Sequence, residues 1–362
     1  MTAPTPLPGI LDISPYVPGK SNISGATEII KLSSNEGALG PSPRAVDAYV
    51  EAAGQLHRYP DGNSTELREV IGERHGLDPS RIVCGAGSDE LLYLLGRGYA
   101  GPGDEVLTHA HAFIMYELVT LGIGATPVKA AEVSLTANVD NLLALVTPRT
   151  RVVYVANPNN PTGSYLPEDE LKRLRAGLAE DVLLVVDSAY AEYVTVNDYA
   201  DGTALVDAGE NTVMTRTFSK AYALGGVRLG WAYCPPAIAD VMNRIRGPFN
   251  VGLPAQAAGI AALRDTEFLA KSRDHNSTWL PWLSERIEAM GLTVYPSIGN
   301  FVLVRFPDDA KHGANAALVF MQGRGIIPRD TASVGLPDCL RITIGREDEM
   351  RVVADALTDF LV

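Results

Sequence analysis

The chain has 362 residues, 46% of them hydrophobic and 20% charged, enough for two domains with filled apolar cores. Its formal charge of −13 argues against a nucleic-acid surface, and no stripe of lysine and arginine runs along it. No stretch approaches a membrane span and no basic segment leads into an apolar run, so a soluble, cytoplasmic protein with neither nucleic-acid nor membrane partner is expected.

Residues 1–40 are rich in proline and glycine with little periodicity, and read as an arm lying across the body or a partner. PSPRAVDAYVEAAGQL (41–56) reads as a helix with proline near its start, and STELREVIGERHG (64–76) as a second helix closed by glycine. From Arg81 short apolar, β-branched runs alternate with helical patterns. The runs are RIVC (81–84), DEVLT (104–108), ATPVKA (125–130), RVVYVA (151–156), VLLVVD (182–187), TVMTRTF (212–218) and LGWAY (229–233). Most of the early runs are continuously hydrophobic, as expected of parallel strands covered on both faces. Helices are expected at 89–100, 112–122 and 167–179. The last two strands are too close for a crossover helix, so one of them is expected to run antiparallel.

The fold class is therefore α/β: a three-layer αβα domain around a mostly parallel, seven-stranded sheet. After Pro235 the pattern changes to a long helical region (253–290), a strand at 300–306, a helix at 313–325, IIPRD (326–330), CLRITIG (339–345) and a terminal helix from 346. This reads as a smaller α+β domain. The expected division is an arm over 1–40 that partly joins the small domain, a large ligand-binding domain over 41–248 and the small domain over 249–362. Cys84, Cys234 and Cys339 are far apart, fit no metal spacing and read as core residues in a reducing compartment.

Four features fall at strand ends or in the loops after them, where open α/β sheets bind ligands. In GAGSDELLYLL (85–95) small residues lead into a helix start with Ser88, Asp89 and Glu90 in its first turn, which suits a phosphate as well as ordinary capping. NPNNPTG (157–163) is a stiff turn; turn chemistry explains its prolines and glycine but does not require Asn160. In DSAY (187–190) an apolar strand ends in Asp187, a helix cap or a carboxylate for a heterocyclic nitrogen. TFSK (217–220) places Lys220 in a loop with Arg228 eight residues on; alone it reads equally as a solvated lysine. Together these supply a phosphate cradle, a hydroxyl partner, a ring-nitrogen carboxylate and an amine for an aldehyde. Those are the requirements of pyridoxal 5′-phosphate.

The chain also resembles the fold-type I pyridoxal-phosphate aminotransferases, and within them the histidinol-phosphate aminotransferases. The resemblance runs from ISPYVPGK (13–20) almost to the C-terminus, through KLSSNEGALGPSP (31–43), RYPDG (58–62), GAGSDELL, NPNNPTG, DSAY, TFSKAYALGGVRLGW and LRITIG (340–345). It implies an aspartate aminotransferase-like large domain. Lys220 then holds the cofactor and carries a proton between Cα and C4′, Asp187 holds the ring nitrogen, and Asn160 and Tyr190 bond the ring oxygen. Ser219 and Arg228 take the phosphate with main-chain help around Gly87, Ser88 and Asp89, and Phe113 stacks on the ring. Tyr59 reaches the neighbouring subunit's cofactor phosphate, which implies a homodimer with shared sites. Arg341 clamps the substrate carboxylate and Arg329 the phosphate or side-chain carboxylate, with Tyr16 and Asn35 also on the substrate side. Gly37-Ala38 after Glu36 departs from the family's commoner asparagine-proline form, which bears on the local loop and substrate choice.

The implied reaction passes an amino group from a small-molecule donor, L-histidinol phosphate, to 2-oxoglutarate, in histidine biosynthesis. Alternatives are an aromatic amino acid aminotransferase, a threonine-phosphate decarboxylase and a non-enzymatic pyridoxal-phosphate-binding regulatory module. His109 and His111, in THAHAF at a strand end, form a metal pair on paper. With no acid or cysteine at a recognised spacing no metal is expected, and a place near Phe113 in the cofactor pocket is the other reading.

Overall fold

The computed structural model describes residues 4–6, 9–15, 19–23 and 28–362. The strands are β1 (Ile30–Lys31), β2 (Ile82–Gly85), β3 (Glu105–His109), β4 (Thr126–Ala130), β5 (Thr150–Ala156), β6 (Leu183–Asp187), β7 (Thr212–Thr217) and β8 (Gly230–Tyr233). They are followed by β9 (Thr293–Tyr295), β10 (Phe301–Arg305), β11 (Ile326–Ile327), β12 (Arg329–Asp330) and β13 (Cys339–Thr343). The long helices of the first half are α1 (Pro43–Ala53), α2 (Thr65–His75), α3 (Ser88–Tyr99) and α4 (Met115–Gly122), then the short α5 (Val139–Ala144), α6 (Glu168–Gly177) and α7 (Thr203–Ala208). The rest are α8 (Pro236–Ile245), α9 (Leu253–Arg264), α10 (Thr266–Ala289), α11 (Ala314–Gly323) and α12 (Glu347–Leu361).

The seven-stranded sheet has the order β2-β8-β7-β6-β5-β3-β4, and β8 alone runs antiparallel to its neighbours. β5 and β6 lie in its middle and are buried almost throughout, which is why they read as unbroken apolar runs. β4 is an edge strand, partly exposed and carrying Pro127, whose missing N–H the edge tolerates. One layer over the sheet packs Leu91, Leu95 and Tyr116 on Val152 and Val185; the other packs Leu142, Leu171 and Leu174 on Val153 and Leu184.

A second sheet, β12-β13-β10-β9, is antiparallel and packs on α10, α11 and α12 through Leu283, Met321, Val353 and Leu357. The arm joins this half: Ile30 and Lys31 pair in parallel with Ile326 and Ile327. Pro328 splits IIPRD, so β11 pairs with the arm while β12 pairs with β13.

Several expectations need correction. The region 253–290 is two helices that part at Asp265, whose carboxylate caps α10 by accepting from Phe268 N at 3.3 Å and also meets Ser42 Oγ. α9 packs against α1 and α2, its Ala255, Ala258 and Ala262 in one core with Leu67 and Leu229. A Cβ on Gly259 would come within 2.4 Å of Leu229 and 3.3 Å of Leu67, so glycine lets this helix sit against the body. The helix expected from 112 begins at Met115, leaving Phe113 in the loop before it. The short helices α5 and α7, and α8, were not expected. Among the described residues no helix is long and apolar enough to cross a membrane.

Candidate active site

β2 is antiparallel to β8, and β8 to β7, so β2, β5, β6 and β7 all end at the same edge of the sheet. That edge carries the four sequence features. Asp187 ends β6, Asn160 follows β5, Ser219 and Lys220 follow β7, and Ser88 opens α3 after β2. Together with Asp89, Phe113, Tyr190 and Arg228 they line one cleft.

Asp187 forms its floor and is 3% exposed. Tyr116 Oη donates to its Oδ2 at 2.9 Å and Thr215 Oγ1 to its Oδ1 at 2.9 Å. Burial pushes this carboxyl up to about 6; the two hydrogen bonds restrain the rise, Asp89 adds to it and Lys220 opposes it. Tyr116 remains a donor because burial and the Asp187 charge push its phenol well above the ordinary value.

Lys220 enters from the loop after β7. Its Nζ donates to Ser34 O at 3.1 Å and stands 5.8 Å from the centre of the Tyr190 ring. Burial, with the charge of Arg341, lowers the amine to about 8, against the opposing pull of Asp89 and Glu36. At pH 7 about a tenth of such an amine is uncharged and nucleophilic, far more than of a free lysine.

At the other end of the cleft Gly87 (φ +86°) caps α3. Arg228, at φ +58°, donates through Nη2 to Asp89 Oδ2 at 3.0 Å and through Nη1 to Gly225 O at 3.1 Å, with Ser219 Oγ at 3.5 Å. A Cβ at Gly87 would lie 2.5 Å from Arg228 Nη2, and one at Gly230 would lie 2.5 Å from Ser88 N. The two glycines therefore let a guanidinium and a helix N-terminus converge, which is an anion cradle.

Arg341, on β13, is 7% exposed. Its Nη1 donates to Asn160 Oδ1, its Nη2 to Ser33 O at 2.6 Å, and its Cζ lies 5.4 Å from the Phe301 ring centre. Asn35, at φ +54°, donates through Nδ2 to Tyr190 Oη at 2.9 Å and through its backbone N–H to Thr343 Oγ1 at 3.0 Å. Arm, small sheet and large sheet thus meet at Tyr190.

Not every candidate reaches this cleft. Arg329 is the cross-strand partner of Arg341, and it lines a separate cleft with Ile13, Pro15 and Leu118. Tyr59 is 83% exposed and stacks on Phe249, ring centres 4.7 Å apart. Tyr16 lies outside the described residues. His109 and His111 have an acid partner after all: Glu132 takes His109 Nδ1 at 2.6 Å and His111 Nδ1 at 2.8 Å. They line a cavity beside this cleft rather than the cleft itself. Sequence reasoning also missed Tyr116 and Thr215. A signal for Thr215 exists: it shares a face of β7 with Thr217, two polar residues at period two beside the apolar Val213 and Met214.

Residues 27–357 match the family model for aminotransferase class I and II. The histidinol-phosphate aminotransferase of Paramagnetospirillum magneticum is 61% identical over 361 residues, covering 100% of this chain and 99% of that protein. That of Rhodospirillum centenum is 59% identical, again over 100% and 99%. Among solved structures, the histidinol-phosphate aminotransferase from Sinorhizobium meliloti in complex with pyridoxal-5′-phosphate superposes with a TM-score of 0.88 at 30% identity, covering 93% of this chain and 92% of that one. With relatives this similar along its whole length and the expected groups gathered in one cleft, the chain belongs to the histidinol-phosphate aminotransferase family, within the class I and II aminotransferases.

Proposed function

We propose that this protein transfers an amino group from L-histidinol phosphate to 2-oxoglutarate, giving imidazole-acetol phosphate and L-glutamate in histidine biosynthesis, with pyridoxal 5′-phosphate as cofactor. The observation that carries the reading is a lysine lowered to about 8 in one cleft with a buried carboxylate and an anion cradle. The donor set fits the cofactor: an amine for its aldehyde, Asp187 for its ring nitrogen, and the Gly87–Arg228 approach for its phosphate. When bound, the cofactor supplies an electrophilic aldehyde and a ring that accepts the electron pair left behind by a departing Cα proton.

The protein's own groups do the rest. Lys220 Nζ would hold the cofactor through its aldehyde and, as a free amine, would take and return the substrate's Cα proton as a general base. Asp187 holds a proton on the ring nitrogen. The Asn160 amide and Tyr190 hydroxyl bond the ring oxygen, Phe113 covers the ring, and Ser219, Arg228 and the backbone at Gly87, Ser88 and Asp89 take the phosphate. Arg341 now donates to a neutral amide and a carbonyl, and a carboxylate is the stronger acceptor for its planar fork. Arg329, its strand partner, takes the substrate's second anionic group, and Asn35 and Tyr16 complete the substrate side.

The working unit is a homodimer in which Tyr59 of each protomer completes the other's phosphate site. The division between cofactor-binding body and smaller lobe falls at the α9–α10 junction. Three buried free thiols support a reducing, cytoplasmic setting. Steady-state rates with histidinol phosphate, phenylalanine and threonine phosphate, each with 2-oxoglutarate, test the reading. Histidinol phosphate is expected to give the highest kcat/KM; a marked preference for phenylalanine overturns the substrate, and decarboxylation of threonine phosphate overturns the reaction.

A further inference from the structure

The loop Ala110–Ile114 joins β3 to α4 and carries Phe113, which lines the cofactor cleft. Ala112 and Phe113 pack on the core, Phe113 meeting Tyr116 edge-on with ring centres 5.9 Å apart, while the loop also borders a cavity lined by His109, His111, Lys129 and Ser333, so packing holds it on one side only. Its remaining anchors are polar. Glu132, two residues beyond β4 and with its side chain 3% exposed, accepts His109 Nδ1 at 2.6 Å and the His111 backbone N–H at 2.9 Å on Oε1. Its Oε2 takes His111 Nδ1 at 2.8 Å. From the other side Asn159 Nδ2 donates to His111 O at 3.0 Å, and Asn159 adjoins Asn160 of the cleft. The loop is pinned between a buried carboxylate and the turn after β5.

We propose that Glu132, through His109 and His111, is a positioning residue that sets the Phe113 loop, and so the wall of the cofactor cleft. Burial works against the Glu132 carboxylate, yet the donors on its two oxygens hold it down to about 2, so the clamp stays ionised at any working pH. Burying an ionised group among imidazoles is a costly way to fill space and a good way to fix direction, since each oxygen is committed to a named donor. Asn159 and Glu132 also place the loop relative to Asn160, so a shift of His111 moves both a ring wall and a hydrogen-bonding turn.

The inference rests on the reading that Phe113 lies against the bound cofactor, and the experiment separates the two. Holoenzymes of the wild type and of Glu132→Ala, Glu132→Gln, Phe113→Ala, Lys129→Ala and Leu142→Ala are compared. The readouts are visible circular dichroism of the bound cofactor, the dissociation constant of pyridoxal phosphate from the apoprotein, kcat and KM, and thermal melting. Glu132→Ala is expected to halve the dichroic band, to weaken cofactor binding about 10-fold, and to lower kcat about 10-fold with KM for 2-oxoglutarate nearly unchanged. Glu132→Gln, which keeps one acceptor oxygen, is expected to fall between, and Lys129→Ala to match the wild type. If Phe113→Ala alters the band and Glu132→Ala does not, the positioning role is overturned. If Phe113→Ala leaves the band unchanged, the placement of Phe113 is what fails. Equal losses in Leu142→Ala at the same melting temperature would reduce Glu132 to a stabilising residue and overturn the proposal. Should Glu132→Ala fail to fold, the same readouts on Glu132→Gln decide it.

Discussion

Lys220 carries the cost of the site in its own protonation. In the folded chain its amine is lowered from 10.5 to about 8, chiefly by burial. A base depressed by folding contributes stability above its unfolded value that is lost as pH falls through the folded one. Near neutrality the apoprotein therefore holds a lysine that would be better solvated unfolded. Each unit is worth about 1.4 kcal/mol, and the side chain keeps part of its surface open to the cleft, so the penalty is about 1–3 kcal/mol. Lys220→Met is expected to stabilise the apoprotein by that amount at pH 7 and by little near pH 10.5. Denaturant melts at the two pH values check this, and equal stability at pH 7 would mean that the amine is not desolvated. Asp187 shows the complementary arrangement. Burial alone would neutralise it, and Tyr116 and Thr215 restrain that rise by donating to its two oxygens. The acid at the end of VLLVVD is legible in sequence because it interrupts an apolar run, though the run alone leaves open a helix cap. Its two donors are not, because one arrives from a helix and the other from the next strand, 71 and 28 residues away.

Elements show the same division between local and tertiary information. β5 and β6 are readable because burial on both faces leaves no polar position to break the run. α5 and α7, six residues each, are too short for a helical period to register, and their place is set by the sheet they cover. α9 is readable as a helix but not as part of the body, because its small residues reveal their purpose only against Leu67 and Leu229. Glu132 was invisible as a partner of THAHAF, since β3 and β4 bring it there only by pairing in register, His109 opposite Ala130. α2 offers a test at this scale. It ends at His75, whose ring lies 5.2 Å from that of Trp231, and burial, with the charges of Arg216 and Arg74, lowers its imidazole from 6.5 to about 3. A depressed folded value gives stability that is present above 6.5 and lost as pH falls through about 3. His75→Phe is expected to flatten the acid limb of the stability curve by roughly 2–3 kcal/mol across that window. Chemical melts between those pH values would show it, and an unchanged slope would assign acid sensitivity to other groups.

The proposed assembly follows from what one protomer leaves open. Tyr59 and Phe249 form an exposed aromatic pair, stacked at 4.7 Å, and neither lines its own protomer's cleft. The cradle at Arg228 is itself partly open, its side chain 48% exposed beside Asp89. A second copy of the chain that delivers Tyr59 to this opening would cover both surfaces, and a two-fold arrangement makes the exchange reciprocal. Subunit mixing decides the point. Lys220→Ala lacks the amine, and Tyr59→Ala lacks the hydroxyl offered to the partner, so each homodimer is expected to be weak or inactive. In a mixed dimer one site combines an intact Lys220 with an intact Tyr59 from the other protomer, while the second site carries both defects. Random reassociation places half the dimers in that mixed class, so activity is expected to recover to about a quarter of the wild-type level. Recovery of that size requires a shared site and a dimer at once. If Tyr59 served its own protomer instead, the mixture would contain no site with both groups intact, because every protomer lacks one of them, and activity would stay at the level of the parents.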